Sequence, residues 1–176
     1  NAGLPTIDIR CLAVNPTNNY LFVGTSGAGI FRSIDNGENW KSVNIGITNL
    51  TIQTLYIDAR GYILAGTPGG GVYSSKDNGE NWTPINLGSV RVEYTNNNTN
   101  VNTINTALPN TVIRSLVSYI TSTNNYIFAG TDDGIYLSSD RGKNWYAKGL
   151  IGKAVMSLLI YQTEENYYIF AGTDDG

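Results

Sequence analysis

The chain has 176 residues, enough for a substantial core at 41% hydrophobic content, yet only 14% are charged and the formal net charge is −3. That balance leaves no basic surface for nucleic acid, and no apolar run approaches the ~20 residues of a membrane-spanning helix. With no histidine and a single cysteine, Ser-His or Cys-His catalysis, His-based metal sites and an internal disulfide are excluded within these residues.

Along the chain, short runs rich in Val, Ile, Tyr and Phe alternate with Gly, Asn, Asp and Thr clusters, which is the chemistry of strands and turns. Residues 1–5 match the stretches that join one unit to the next, such as Asn44-Ile45-Gly46-Ile47. A first strand follows at Ile9–Val14. A Tyr-led run ending in Gly24-Thr25 predicts a second strand, and Gly29–Ser33 a third. Next comes the octet Ser33-Ile34-Asp35-Asn36-Gly37-Glu38-Asn39-Trp40, with a fourth strand expected from Trp40 onward. The pattern then recurs: first strands at 52–57, 113–118 and 155–160, and Gly-Thr pairs at 66–67, 130–131 and 172–173. The glycines at 24, 66, 130 and 172 are separated by steps of 42, 64 and 42 residues (66 − 24, 130 − 66, 172 − 130), so one repeat carries about 22 extra residues. Units of four antiparallel strands are predicted at 7–45, 50–87 and 111–149, with an incomplete unit at 153–176 and an insertion at 88–110.

The octet recurs as Ser75-Lys76-Asp77-Asn78-Gly79-Glu80-Asn81-Trp82 and Ser138-Ser139-Asp140-Arg141-Gly142-Lys143-Asn144-Trp145. Placed between strands three and four, it reads as a hairpin device. Asp35, Asp77 and Asp140 accept backbone N–H groups about two residues on. Gly37, Gly79 and Gly142 supply positive φ, and Trp40, Trp82 and Trp145 cover the turn with an indole N–H left to find a partner. Ser33, Ser75 and Ser138 complete the motif. The pattern Ser-x-Asp-x-Gly-x-x-Trp resembles the Asp-box, or bacterial neuraminidase repeat, of the sialidase- and sortilin-like β-propellers. The resemblance covers essentially the whole chain outside the insertion. It implies an all-β propeller of four-stranded antiparallel blades, about three and a half of them visible, forming part of a larger propeller or completed by other copies of the chain.

In propellers of this kind, ligands meet the face built from the connections between strands two and three and between successive blades, opposite the Asp-box turns. Three features fall there. The insertion includes Arg91 and Tyr94 in an alternating segment, Val90–Tyr94, with a return strand within 101–108; it reads as a recognition hairpin or as an Asn-rich loop. Arg10 and Arg114 occupy matched positions at the start of first strands and suit a carboxylate ligand, or else local partners such as Asp8. Asp132 and Asp133, with Asp174 and Asp175, offer weak Ca²⁺ ligation, although Asp-Gly is also an ordinary tight-turn pair.

Two matched arginines do not make the arginine triad of a sialidase, and no carboxylate pair stands out for glycoside hydrolysis. The sequence therefore points to a non-catalytic, exported or cell-surface propeller module that recognises a protein or glycan or builds an extracellular assembly, with no required cofactor and with self-association through blade edges as a further option. The alternative is a fragment of a sialidase- or endoglucanase-like glycoside hydrolase whose catalytic residues lie partly outside this window. The low lysine content and the wealth of Asn, Thr and Tyr agree with an extracellular location.

Overall fold

Backbone pairing follows the repeat. The computed structural model describes residues 2–5, 7–85, 89–92, 104–107, 111–121, 124–163 and 166–176. Three four-stranded antiparallel sheets are built in sequence order: β1 (Ile9–Val14), β2 (Leu21–Thr25), β3 (Ile30–Ser33) and β4 (Lys41–Ser42); β5 (Thr54–Ile57), β6 (Ile63–Thr67), β7 (Gly71–Ser75) and β8 (Thr83–Pro84); then β11 (Ile113–Ile120), β12 (Asn125–Thr131), β13 (Gly134–Ser138) and β14 (Tyr146–Gly149). A hairpin of β9 (Ser89–Val92) and β10 (Ile104–Ala107) stands between the second and third sheets, and β15 (Val155–Gln162) pairs with β16 (Tyr167–Thr173) at the end. Among the described residues no helix is long and apolar enough to cross a membrane.

The first strands form the inner row, since β1 touches β5, β5 touches β11 and β11 touches β15. Apolar residues then fill each space between sheets. Phe22 and Ile30 of the first sheet meet Leu55, Ile63 and Tyr73 of the second; Leu64 and Val72 of the second meet Leu116, Ile127 and Tyr136 of the third. Phe128 and Ile135 of the third meet Val155 and Leu158 of the last. In the second and third sheets the alternation of the strands thus serves two junctions, one on each face.

The glycines of the first three Gly-Thr pairs are explained by this stacking. A Cβ on Gly24 would lie 2.6 Å from Ile52 Cγ2, one on Gly66 2.6 Å from Ile113 Cγ2, and one on Gly130 2.8 Å from Val155 Cγ1, each a residue of the following sheet. The threonine closes the next turn: Thr25, Thr67 and Thr131 hydroxyls donate to the carbonyls of Gly29, Gly71 and Gly134 at 2.8, 2.9 and 3.0 Å.

The octets form the expected hairpins with two refinements. Ser Oγ, rather than Asp, takes the glycine N–H, at 2.8 Å for Gly37, 2.9 Å for Gly79 and 2.7 Å for Gly142. The Asp carboxylate accepts the serine hydroxyl and reaches four residues on, to the N–H of Asn39, Asn81 and Asn144 at 2.9, 2.9 and 2.8 Å. Positive φ falls on two successive residues, Asn36-Gly37, Asn78-Gly79 and Arg141-Gly142. The fourth strands begin one residue after each tryptophan, because the Trp main chain is engaged elsewhere: Trp82 N–H donates to Ile45 O and Trp40 N–H to Ala2 O, both at 2.8 Å. Residues 2–5 therefore occupy the place of a unit-joining stretch, as the sequence match predicts. The indoles tie neighbouring sheets together, Trp82 Nε1 donating to Val43 O at 2.8 Å and Trp145 Nε1 to Ile85 O at 3.0 Å.

Candidate functional site

Antiparallel order puts the turns after β2, β6 and β12, and the joins between sheets, at one end of the molecule; the octets lie at the other. At the first end a β-bulge interrupts β1 between Ile9 and Cys11, β11 between Ile113 and Ser115, and β15 between Val155 and Ser157. The bulged residues are Arg10, Arg114 and Met156; the two arginines are the matched positions singled out in the sequence. A bulge re-aims the side chain it carries.

Arg10 is held locally. Its Nη1 donates to Gln53 Oε1 at 3.4 Å, its Nη2 to Ser26 Oγ at 3.3 Å, and Nε lies 3.7 Å from Asp8 Oδ2. Arg114 is half-buried and its Nε is buried without a hydrogen-bond partner. Arg10 lies on the first sheet and Arg114 on the third, and the contacts of Arg10 are with Gln53, Ser26 and Asp8. Arg91 lies in β9, whose side chains fall outside the described residues, as does Tyr94. The backbone of β9 lies against β14, the outermost strand of the third sheet.

The aspartate pairs serve as turn braces. Asp132 Oδ1 accepts Val112 N–H and Asp133 Oδ1 accepts Gly152 N–H, both at 3.0 Å, while Tyr136 donates to Asp133 Oδ2 at 3.4 Å. Asp175 pairs with Lys153 and takes the Thr173 hydroxyl. The two pairs lie on different sheets and do not converge. Burial pushes the Cys11 thiol up to about 11 and its Sγ faces Ile52 O, so the cysteine is an inert packing group.

One network has no single-motif signature in the sequence. At the octet end of the junction between the first two sheets, Arg32 lies over the Tyr20 ring, donates through Nη1 to Asn78 O and pairs through Nη2 with Glu80, both at 2.7 Å. Asn78 Oδ1 also accepts the amides of Asn15 and Asn18. Hydrogen bonding and charge from Arg32, then the charge of Lys41, lower the Glu80 pKa. The only trace of this cluster is a set of matched-position differences: Arg32 against Ser74, Asn78 against Arg141, Glu80 against Lys143.

At the next junction those replacements leave a groove of about 940 Å³, lined by Tyr62, Ser74, Lys76, Arg141 and Lys143 among others. Lys76 Nζ lies 5.9 Å from the centre of the Tyr62 ring.

No protein-family model matches the chain, and no curated protein does. Solved structures match its fold. It is similar to the extracellular domain of the putative one component system BT4673 from B. thetaiotaomicron, at 20% identity and a TM-score of 0.68 over 99% of this chain and 21% of that one. The GH74 enzyme of Niastella koreensis matches at 18% identity and a TM-score of 0.65 over 96% of this chain and 26% of that one. The structure of YCF48 bound to D1 peptide matches at 15% identity and a TM-score of 0.61 over 93% of this chain and 47% of that one. The chain thus spans less than half the length of each of these structures. Identities this low carry the fold alone, and that fold is the β-propeller.

Proposed function

We propose that the chain is part of an exported, non-catalytic Asp-box propeller module that recognises a protein or glycan, or builds an extracellular assembly. The observation that carries this reading is the β9–β10 hairpin: a ribbon that the blade repeat does not need, placed in a join between blades and lying against the outer strand β14. The four units and the insertion are read as 7–45, 50–87, 111–149, 153–176 and 88–110. The shared hydrogen-bond set of the three octets supports the Asp-box assignment, with Asp35, Asp77 and Asp140 as framework groups. The charged candidates of the loop end are braced by their own neighbourhoods, which supports a positioning role for Arg10, Asp132 and Asp133. An extracellular domain among the similar structures supports export.

The test is to present the intact protein to immobilised oligosaccharides and extended peptides, with labelled oligosaccharides followed for hydrolysis in parallel. Retention of an uncleaved ligand, lost when residues 88–110 are replaced by a short linker, is expected. Turnover of an oligosaccharide that disappears on replacing a carboxylate would overturn the non-catalytic reading.

A further inference from the structure

The two octet-end junctions differ in charge, and the difference is systematic. At the first, Arg32 and Lys41 from one sheet meet Glu80 from the next, and the cations are neutralised in place. At the second, the matched residues are Ser74, Thr83 and Lys143. The space that Arg32 fills is vacated by Ser74, and the acid that would receive a cation has itself become one. Lys76, where the first blade has Ile34, adds a further positive charge. Among the described residues, none of Lys76, Arg141 and Lys143 takes part in an ion pair, and all three are exposed at the groove.

Arg141 adds an observation of a different kind. It holds φ at 63°, at a position where the other two octets use asparagine. Asparagine enters the left-handed region easily and arginine does so at a cost, so the arginine sits here against local preference. Two carboxylates also border the groove, Asp77 and Asp140. Their oxygens are occupied inside their own octets by serine hydroxyls and by asparagine N–H groups, so they compete little for an incoming group.

We propose that the groove between the second and third octets is a binding site for an acidic oligosaccharide, a surface distinct from the loop end and independent of the β9–β10 hairpin. Its volume lies within the ~300–1,000 Å³ typical of ligand sites. Arg141 offers a forked donor for a carboxylate or sulfate, and Lys76 and Lys143 supply point charges. The Tyr62 ring offers an aromatic surface. The uncharged polar part of the lining suits a sugar: Asn81 and Asn124 border the groove, and an amide both donates and accepts, as sugar hydroxyls do.

The experiment is calorimetric titration of the intact protein with a polygalacturonate hexasaccharide, with neutral cellohexaose and hexaglutamate as comparisons. Binding of the uronate alone, weakening as salt is raised, is expected. The triple variant Ser74→Arg, Arg141→Asn, Lys143→Glu transplants the first junction into the second and should weaken binding at least about tenfold. Should it fail to fold, Arg141→Ala with Lys143→Ala is the second variant, with the same expected loss; Lys148→Ala, away from the groove, should bind as the parent does. Equal binding by the folded groove variants, equal binding of cellohexaose, preference for hexaglutamate, or no binding at all would each overturn the proposal. A negative result here leaves the loop-end reading standing, because the linker replacement at 88–110 tests that separately.

Discussion

At the scale of single residues the octet is a closed circuit of side-chain and main-chain hydrogen bonds, and its serine is the least replaceable member. Ser75 is buried, accepts Gly79 N–H at 2.9 Å and donates to Asp77 Oδ1 at 2.8 Å. Ser75→Ala leaves a buried N–H without a partner, and we expect a loss of about 1–3 kcal/mol in denaturant unfolding. The acids give the same circuit a pH signature. Hydrogen bonds from Asn39 and then Ser33 lower Asp35 from an ordinary 3.8 to about 2. At Asp77 and Asp140 burial pushes the carboxyl up, but the combined bonds from the octet's asparagine and serine outweigh it and the net shift is down. A lowered folded pKa contributes stability that is present above the ordinary value and lost as pH falls through the folded one. Glu80, lowered from an ordinary 4.5, acts in the same direction. The thermal midpoint should therefore hold down to about pH 4.5 and fall between there and about pH 2; a midpoint unchanged across that window would show that the circuit does not stabilise the fold.

At the scale of elements, what matters is how closely one sheet approaches the next. The glycines of the first three Gly-Thr pairs admit the start of the following unit, so Gly66→Ala would drive a methyl group to 2.6 Å from Ile113 Cγ2 and 2.7 Å from Thr54 Cγ2. Gly66 has no positive φ, so the penalty is steric alone. We expect about 1–3 kcal/mol of destabilisation in chemical unfolding, with Gly69→Ala as a contrasting substitution whose cost comes from its φ of 72° and not from packing. Such elements were readable in the sequence because each carries its signal within a few adjacent residues: the Tyr-led runs, the Gly-Thr pairs and the octets. What escaped was whatever depends on two units at once. The fourth strands start after the tryptophans because the Trp N–H bonds the preceding join. The bulges at Arg10 and Arg114 are invisible in the sequence because both residues hold the same place in their units, so the extra residue leaves no gap. The cluster of Arg32, Asn78 and Glu80, and the open groove at the matched positions, emerge only once the units are stacked.

At the scale of the whole molecule, the two outer faces carry the same apolar pattern as the internal junctions. Phe22, Leu64 and Phe128 are matched residues and at most 1% exposed; their counterpart Phe170 is 57% exposed. Leu55, Leu116 and Leu158 are buried, whereas the matching Leu12 of the first sheet is 71% exposed, with Val14 beside it. On the last sheet Leu159, Tyr161 and Tyr168 extend the patch around Phe170. The pattern on one face is the one that receives the pattern on the other, since each internal junction is made from the same two sets of positions. A contiguous apolar face of this kind favours association, and the unpaired edge of β16 offers main-chain donors and acceptors as well. Residues 1–176 produced by themselves should therefore self-associate in a concentration-dependent way, visible in sedimentation velocity. Leu159→Lys together with Phe170→Lys should shift the distribution strongly toward monomer while leaving the two octet-end junctions intact, as reported by unchanged tryptophan fluorescence of Trp82 and Trp145. A parent chain that stays monomeric at high concentration would mean that these faces tolerate water, and that their match to the buried junctions does not govern assembly.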